Sequence, residues 1–183
     1  MKKFQEAKYL GDWISEMGLS ESVSCTVKKR KGLAMTCTHE IQSVIDDCRS
    51  NLCGGLQVGL EIWEIAVIPM LLYNSECWTG ITKKIMDEFE DIQLRFLRLI
   101  LGVGSGCPIP ALYWETGCKH IKYRILKNKL LFYHHLATLP SSSLANEIFS
   151  LQESLGLPGL ISECQNFLTT NEIDEVKNYS KLE

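Results

Sequence analysis

The chain has no apolar run that approaches the roughly 20 residues of a membrane span, and its basic N-terminal residues 1–8 lack an apolar signal core. These absences predict neither a membrane anchor nor a secretory signal, so we expect an intracellular protein. No nucleophile elbow, P-loop or dinucleotide fingerprint occurs, which leaves no motif for the corresponding enzyme classes. We therefore expect no cofactor and no small-molecule substrate.

Cysteine is plentiful, with eight residues, but their spacing is not that of a zinc site. Cys48 and Cys53 have no matching second pair, and Cys107, Cys118 and His120 do not make a Cys-x₂-Cys-x₄-His-x₄-Cys knuckle. Disulfides are not expected in an intracellular protein. We interpret the cysteines as small apolar core residues and predict no metal ligand.

Acidic and basic residues are distributed unevenly along the 183 residues. The net charge is −3, but the seven acidic and two basic residues from Leu144 onward carry −5 of it, which leaves +2 on residues 1–143. A mildly basic body permits contact with nucleic acid without demonstrating it.

Hydrophobic periodicity predicts a mainly α fold, with four or five helices in bundle-like, orthogonal packing and a short strand-like segment within residues 4–14. The first helix runs from Val23 to about Cys48, with a seven-residue apolar repeat through Val27, Ala34 and Ile41. A second runs from about Leu56 and should break or kink at Pro69, because proline lacks a backbone N–H.

The third helix has its apolar residues from Ile85 to Ile100 within an arc of about 100°. Asp91 and Arg95 form a favourable i,i+4 pair on it, and Gly102 should end it. A short helix opened by Pro108 should end at Gly117, and a fourth long helix spans about His120 to Thr138.

Residues 140–143, with the sequence Pro-Ser-Ser-Ser, are typical of a linker. We therefore predict one domain over residues 1–139, of which 1–19 are a strand-like lead-in, and an acidic tail over 140–183. The tail should contain short helices at Leu144–Leu155 and Leu160–Leu168, and its last dozen residues should fray.

The segment Ile68–Trp78 has the order Ile-Pro-Met-Leu-Leu-Tyr-Asn-Ser-Glu-Cys-Trp, which a generic core helix does not need. Further landmarks stand around it in a fixed order. Within the segment the landmark residues are Pro69, Tyr73, Glu76 and Trp78. Before it stand Tyr9, Gly11 and the basic run 27–34, and after it stand Arg95, Gly102, Glu115, Gly117 and the run 121–124. This ordered set, over roughly residues 8–139, resembles the region beyond the polymerase palm in non-LTR (LINE-type) retrotransposon reverse transcriptases.

The resemblance implies a thumb-like domain that holds a template–primer duplex through its backbone. The catalytic aromatic-Ala-Asp-Asp turn of that family is absent from the chain. Asp46 and Asp47 are the sole Asp-Asp pair, and as neighbours on a helix they point about 100° apart, which is typical of a solvated helix end rather than a two-metal site. We therefore expect no polymerase activity and no catalytic residues.

Two groups of basic residues are candidates for contact with an RNA–DNA or RNA backbone, because each neutralised phosphate releases counterions. The first group is Lys28, Lys29, Arg30 and Lys31 on the first helix. The second group is Lys119, directly before the fourth long helix, and Lys122 and Lys129 on it. Tyr123 and Tyr133 are interleaved with the second group, as in base-stacking platforms. The alternatives are a solvated helix face for the charges and core packing for the tyrosines.

A second hypothesis is a helical protein–protein interaction module that binds a partner through apolar surface. Leu71, Leu72, Tyr73 and Trp78 would then be partly exposed. In the first hypothesis Trp78 covers the core, and Glu76 caps a helix or pairs with a cation. An inert transposon remnant is the third alternative, and the sequence does not separate the three.

Overall fold

The computed structural model describes residues 6–9, 12–15, 19–50 and 54–171. Over these residues the fold is mainly helical, as predicted, with eight α-helices and one two-stranded sheet. Gly11, Cys53 and the last dozen residues, on which predictions were made, lie outside the described residues.

A short antiparallel hairpin comes first, formed by β1 (Glu6–Tyr9) and β2 (Asp12–Ser15), with Tyr9 opposite Asp12. The helices are α1 (Leu19–Ser50), α2 (Gly55–Ile62), α3 (Ile68–Leu71), α4 (Lys83–Leu101), α5 (Ile109–Thr116), α6 (Ile121–Thr138), α7 (Leu144–Ser154) and α8 (Leu160–Thr170). A π-helical turn (Trp63–Val67) joins α2 to α3, and a 3₁₀ turn (Ser75–Cys77) follows α3.

The chain divides into two compact units, Met1–Asn74 with Ile81–Arg124 and Ser75–Gly80 with Ile125–Glu183. The division therefore falls inside α6 and not at the linker predicted at residues 140–143. The reason lies in the second half of α6, where Tyr133 packs in one apolar cluster with Phe149 of α7 and Cys164 of α8.

The apolar stripe of α1 is confirmed at its start and shifts along the helix. Val27 and Ala34 are buried as predicted, but Ile41 is only half-buried. Further on, Ile45 is fully buried and Val44 is exposed. A straight helix with 3.6 residues per turn drifts by about 20° per heptad, so a strict seven-residue repeat leaves the buried face over 32 residues.

The interruption predicted at Pro69 takes the form of the π-helical turn just before it. The N–H of Ile68 donates to the carbonyl of Trp63, five residues back, and helical backbone continues through Leu71. A π turn accommodates an extra residue and alters the acceptor pattern where proline supplies no donor. The turn also places the Trp63 ring 4.6 Å from that of Phe96 on α4.

Helix α4 ends at Gly102, as its sequence predicts, and begins after Thr82. The Thr82 hydroxyl accepts from the N–H of Ile85, Gly102 ends the helix in the left-handed conformation, and Gly117 does the same for α5. The buried surface of α4 is wider than the predicted arc, because Gln93, Leu94 and Leu97 are buried as well. None of the helices in the described part of the chain is long and apolar enough to cross a membrane.

Gly59 brings α2 close to α4. A Cβ at this position would lie 2.5 Å from Cγ2 of Ile100, whereas one at Gly32, on the exposed side of α1, would meet no atom within 4 Å. We expect Gly59→Ala to lower the free energy of unfolding by about 1–3 kcal/mol through overpacking. Gly32→Ala should raise it by about 0.5–1 kcal/mol through helix propensity.

Urea denaturation followed by circular dichroism measures both changes. Two alanine variants that shift stability in the same direction and by similar amounts would contradict the close packing of α2 on α4.

Candidate nucleic-acid interface

The basic run of α1 divides between core and surface. Lys28 and Lys29 are exposed, Lys31 is half-buried, and Arg30 is only 5% exposed. Four consecutive residues extend most of the way round a helix, so at least one of them has to face the protein.

The guanidinium of Arg30 joins three separate parts of the first unit. It pairs with the Asp12 carboxylate of β2 at 2.5 Å, donates to the Tyr73 carbonyl and lies 5.1 Å from the centre of the Tyr73 ring. The side-chain amide of Asn74 donates to the same carboxylate. Arg30 is thus a structural residue, and the prediction that it faces a phosphate is wrong.

The lysines beside Arg30 have weaker contacts. The Lys29 ammonium lies 4.5 Å from the centre of the Trp13 ring, and that of Lys31 lies 3.5 Å from a Glu88 oxygen. Lys31 is half-buried beside Glu88, whereas Lys28 and Lys29 are exposed, so Lys28 and Lys29 are the members of this run that can best approach a phosphate.

Lys129 is also removed from the predicted surface. It is 7% exposed and pairs with Glu163 of α8 at 2.6 Å, within the second unit. The other oxygen of Glu163 accepts from the N–H of Gly80 at 2.7 Å. The expectation that Lys129 shares an exposed stripe with Lys119 and Lys122 is wrong, because the buried face of α6 passes through residue 129.

The junction between α5 and α6 presents cations and aromatic rings together. Lys119 and Lys122 are exposed, Trp114 is 87% exposed and Tyr123 is 55% exposed. The Lys122 ammonium lies 5.0 Å from the centre of the Tyr123 ring. We call these four residues the α5–α6 surface.

A carboxylate supports this surface from beneath. One oxygen of Glu90 on α4 accepts from the Tyr113 hydroxyl and contacts Nδ1 of His120. The His120 ring stacks 3.9 Å from the Tyr113 ring and meets the Tyr123 ring edge-on at 6.1 Å. The Gln93 side chain, fully buried, donates to the Lys119 carbonyl at 2.9 Å.

Sequence reasoning did not identify Glu90, Gln93, Tyr113 or His120 as supports of a site. Glu90 is 23 residues from Tyr113 and 30 from His120, so no local spacing pattern connects them. The two chain segments meet only because α5 packs against α4.

Burial raises the pKa of the Tyr113 hydroxyl well above its ordinary value, and the hydrogen bond to Glu90 and the charge of Glu90 raise it further. Burial also raises the pKa of the Cys118 thiol beside it and that of Cys164 to about 11. These thiols are protonated at neutral pH and are poor nucleophiles.

The remaining landmark residues are dispersed over both units. Trp78 is buried as predicted, Glu76 is half-buried in the 3₁₀ turn, and Pro69 and Glu115 are exposed. Arg95 forms the predicted pair with Asp91 at 2.9 Å. Gly102 and Gly117 end their helices, and the backbone of Tyr9 pairs in the hairpin.

The apolar surface predicted for an interaction module is absent at its expected place. Leu71, Leu72 and Trp78 are buried, and only Tyr73 is exposed, under the Arg30 guanidinium. Leu71 points into the first unit because α3 and the π-helical turn before it pack along α1, whereas Trp78 belongs to the second unit.

Residues that bind metals do not converge among those that the structure describes, where no three of His, Cys, Asp and Glu come together. Asp46 and Asp47 are exposed near the end of α1. Cys25 and Cys164 are buried, as core cysteines should be, whereas Cys77 is exposed.

Comparison with protein-family models, curated proteins and solved structures finds no match. The exposed side chains and their supports are therefore the basis for a functional proposal.

Arg30→Ala should lower the free energy of unfolding by about 3 kcal/mol, because it removes the cation from a largely buried carboxylate and leaves the Tyr73 carbonyl without this donor. Lys28→Ala, two residues away and exposed, should change it by less than about 0.5 kcal/mol. Chemical denaturation of both variants provides the comparison. Equal, small effects would show that the Arg30 contacts do not hold the fold.

Tyr113 should stay protonated in the folded protein at a pH where an ordinary tyrosine, with a pKa of 10.0, ionises. Since its folded pKa is raised, its contribution to stability is complete below about pH 10 and is lost as the pH rises from there towards the folded pKa. Alkaline titration of tyrosinate absorbance, compared between the wild type and Tyr113→Phe, isolates this group. A difference signal that titrates near pH 10 would contradict the burial of the hydroxyl on Glu90.

Proposed function

We propose that the chain is a non-catalytic, thumb-like domain that binds nucleic-acid backbone without sequence preference, as its resemblance to LINE-type reverse transcriptases implies. The observation that supports this proposal best is the α5–α6 surface. It combines two exposed ammonium groups with two exposed aromatic rings at one helix junction.

The lysines of this surface supply the electrostatic part of the binding. Neither Lys119 nor Lys122 forms a salt bridge with another side chain of the described residues, so each is available to a phosphate. The nearby Arg124 is different, since both of its terminal nitrogens contact Glu64, at 2.5 and 2.8 Å. Two phosphate contacts give a modest affinity with a clear dependence on salt.

The aromatic residues supply the second part. A tryptophan that is almost fully exposed is unusual for a residue with so large an apolar area, and stacking on a nucleobase would cover it. Base–aromatic stacking tolerates any sequence, because every base has a π face. Tyr123 is held by His120 at its edge and by Lys122 over its ring, which limits the orientations it must lose on binding.

Lys28 and Lys29 on α1 add a second basic segment to the same unit. The proposed interface excludes Arg30 and Lys129, which are buried in ion pairs. The protein is proposed to be non-catalytic because the family's catalytic turn is missing from its sequence, and the rival role of an interaction module no longer has Leu71, Leu72 and Trp78 as its surface.

The double variant Lys119→Ala/Lys122→Ala should weaken binding to an RNA–DNA hybrid and reduce the log–log salt slope by about 1.5–2, because two phosphate contacts are lost. The matched control is Lys83→Ala/Lys84→Ala, which removes two exposed lysines of the same unit from the start of α4, beside Asp87. Fluorescence anisotropy across a salt series measures both slopes.

The variant Trp114→Ala tests the aromatic part and should cost about 1–3 kcal/mol in affinity for single-stranded RNA. Its control, Ile65→Ala, shortens an exposed apolar side chain elsewhere in the unit.

If the log–log salt slope falls equally for the two double lysine variants, the binding is only general charge attraction. No binding at low salt by folded protein would refute the proposed function.

A further inference from the structure

Helix α7 presents a continuous apolar stripe to solvent. Leu144, Ile148, Leu151 and Leu155 are spaced by four, three and four residues, which places them within an arc of about 60° along α7 and its C-cap. They are 70%, 47%, 56% and 61% exposed, respectively. This regular stripe of large aliphatic side chains is the pattern of a helix that packs on another helix.

The opposite side of α7 is already occupied. Phe149 is buried against Tyr133 of α6, with ring centres 5.4 Å apart. The Asn146 amide donates to the Leu136 carbonyl, and the Glu153 carboxylate accepts from the Gln165 amide of α8 at 2.7 Å. Rotating α7 to bury the stripe within its own unit would break these contacts, so the described residues of that unit leave the stripe open to a partner.

The spacing of the stripe suits a second copy of the same helix. A sequence of four, three and four residues is symmetric about its midpoint, so two antiparallel copies related by a two-fold axis place Leu144 opposite Leu155 and Ile148 opposite Leu151. An isologous contact requires this reciprocity, in which residue i meets j and j meets i.

Charge at the edge of the stripe favours the same occupant. Glu147 is the single charged side chain of α7 beside the stripe, and α7 contains no basic residue. In the antiparallel arrangement Glu147 lies closest to Ser154 of the second copy and about one and a half turns from the second Glu147, so repulsion is small. A partner recognised by charge would require a more highly charged rim.

The size of the stripe indicates how strong such a contact is. Four large side chains that are half to two-thirds exposed offer roughly 400 Å² of apolar surface per copy, so a face-to-face pair buries somewhat under 1,000 Å² in total. Interfaces of this size are weak and concentration-dependent. We propose that the protein forms a weak antiparallel two-fold dimer through the apolar stripe of α7.

Sedimentation velocity of the full chain over a concentration series tests the proposal directly. We expect a reversible shift from monomer to dimer at micromolar or higher concentration. The variant Ile148→Glu places a charge at the centre of the contact and should raise the dissociation constant at least about tenfold. The matched control Ile65→Glu makes the same change at an exposed isoleucine outside the stripe and should leave the constant unchanged.

A charge-swap pair tests the antiparallel register. Leu151→Glu and Ile148→Lys should each be monomeric alone, and their equimolar mixture should regain a dimer, because Glu at 151 then faces Lys at 148. A parallel pair would place like positions together and would not be rescued. All substituted side chains are exposed, and circular dichroism checks that each variant is folded.

A wild-type protein that remains monomeric up to several hundred micromolar would overturn the proposal. So would a dimer that persists in Ile148→Glu, or monomeric single variants that show no rescue on mixing. Nucleic-acid binding by the α5–α6 surface is measured separately and does not depend on these outcomes.

Discussion

The buried Arg30 guanidinium is the interaction on which the arrangement of the first unit depends. It holds the β2 carboxylate of Asp12, the carbonyl and ring of Tyr73, and through Asp12 the amide of Asn74. Asn74 itself adopts the left-handed conformation, with φ of 60°, which brings its side chain to that carboxylate. A buried guanidinium is costly unless all its partners are present, so hairpin, α1 and the segment after α3 must come together.

A second hydrogen-bonded cluster supports the α5–α6 surface. The Glu90 carboxylate contacts Tyr113 and His120, and His120 in turn orients Tyr123. Partly buried polar groups therefore position the exposed ones. Of the basic residues predicted to contact phosphate, Arg30 and Lys129 are buried in ion pairs, whereas Lys28, Lys29, Lys119 and Lys122 are exposed and accessible to a phosphate.

Much of the helical architecture was predictable from the sequence. Which basic residues are buried in ion pairs and which are exposed was not. Gly102 and Gly117 act at the ends of their own helices, so local pattern identifies them. Arg30 and Lys28 are equivalent in sequence context, and the difference between them comes from Asp12 and Tyr73, which are 18 and 43 residues from Arg30. Likewise, the stripe of α7 was readable as helical, but its exposure became evident only when Phe149 was found to occupy the inner side.

The sequence by itself determined the mainly helical class, the glycine-terminated ends of α4 and α5 and the Asp91–Arg95 pair, because these depend on backbone propensity and on neighbours within one turn. Only the tertiary structure decided that Arg30 is buried, that Glu90 supports the α5–α6 surface and that α6 continues into a second unit. Desolvation and long-range pairing set those outcomes, and both depend on segments that are distant in the chain and meet only after folding.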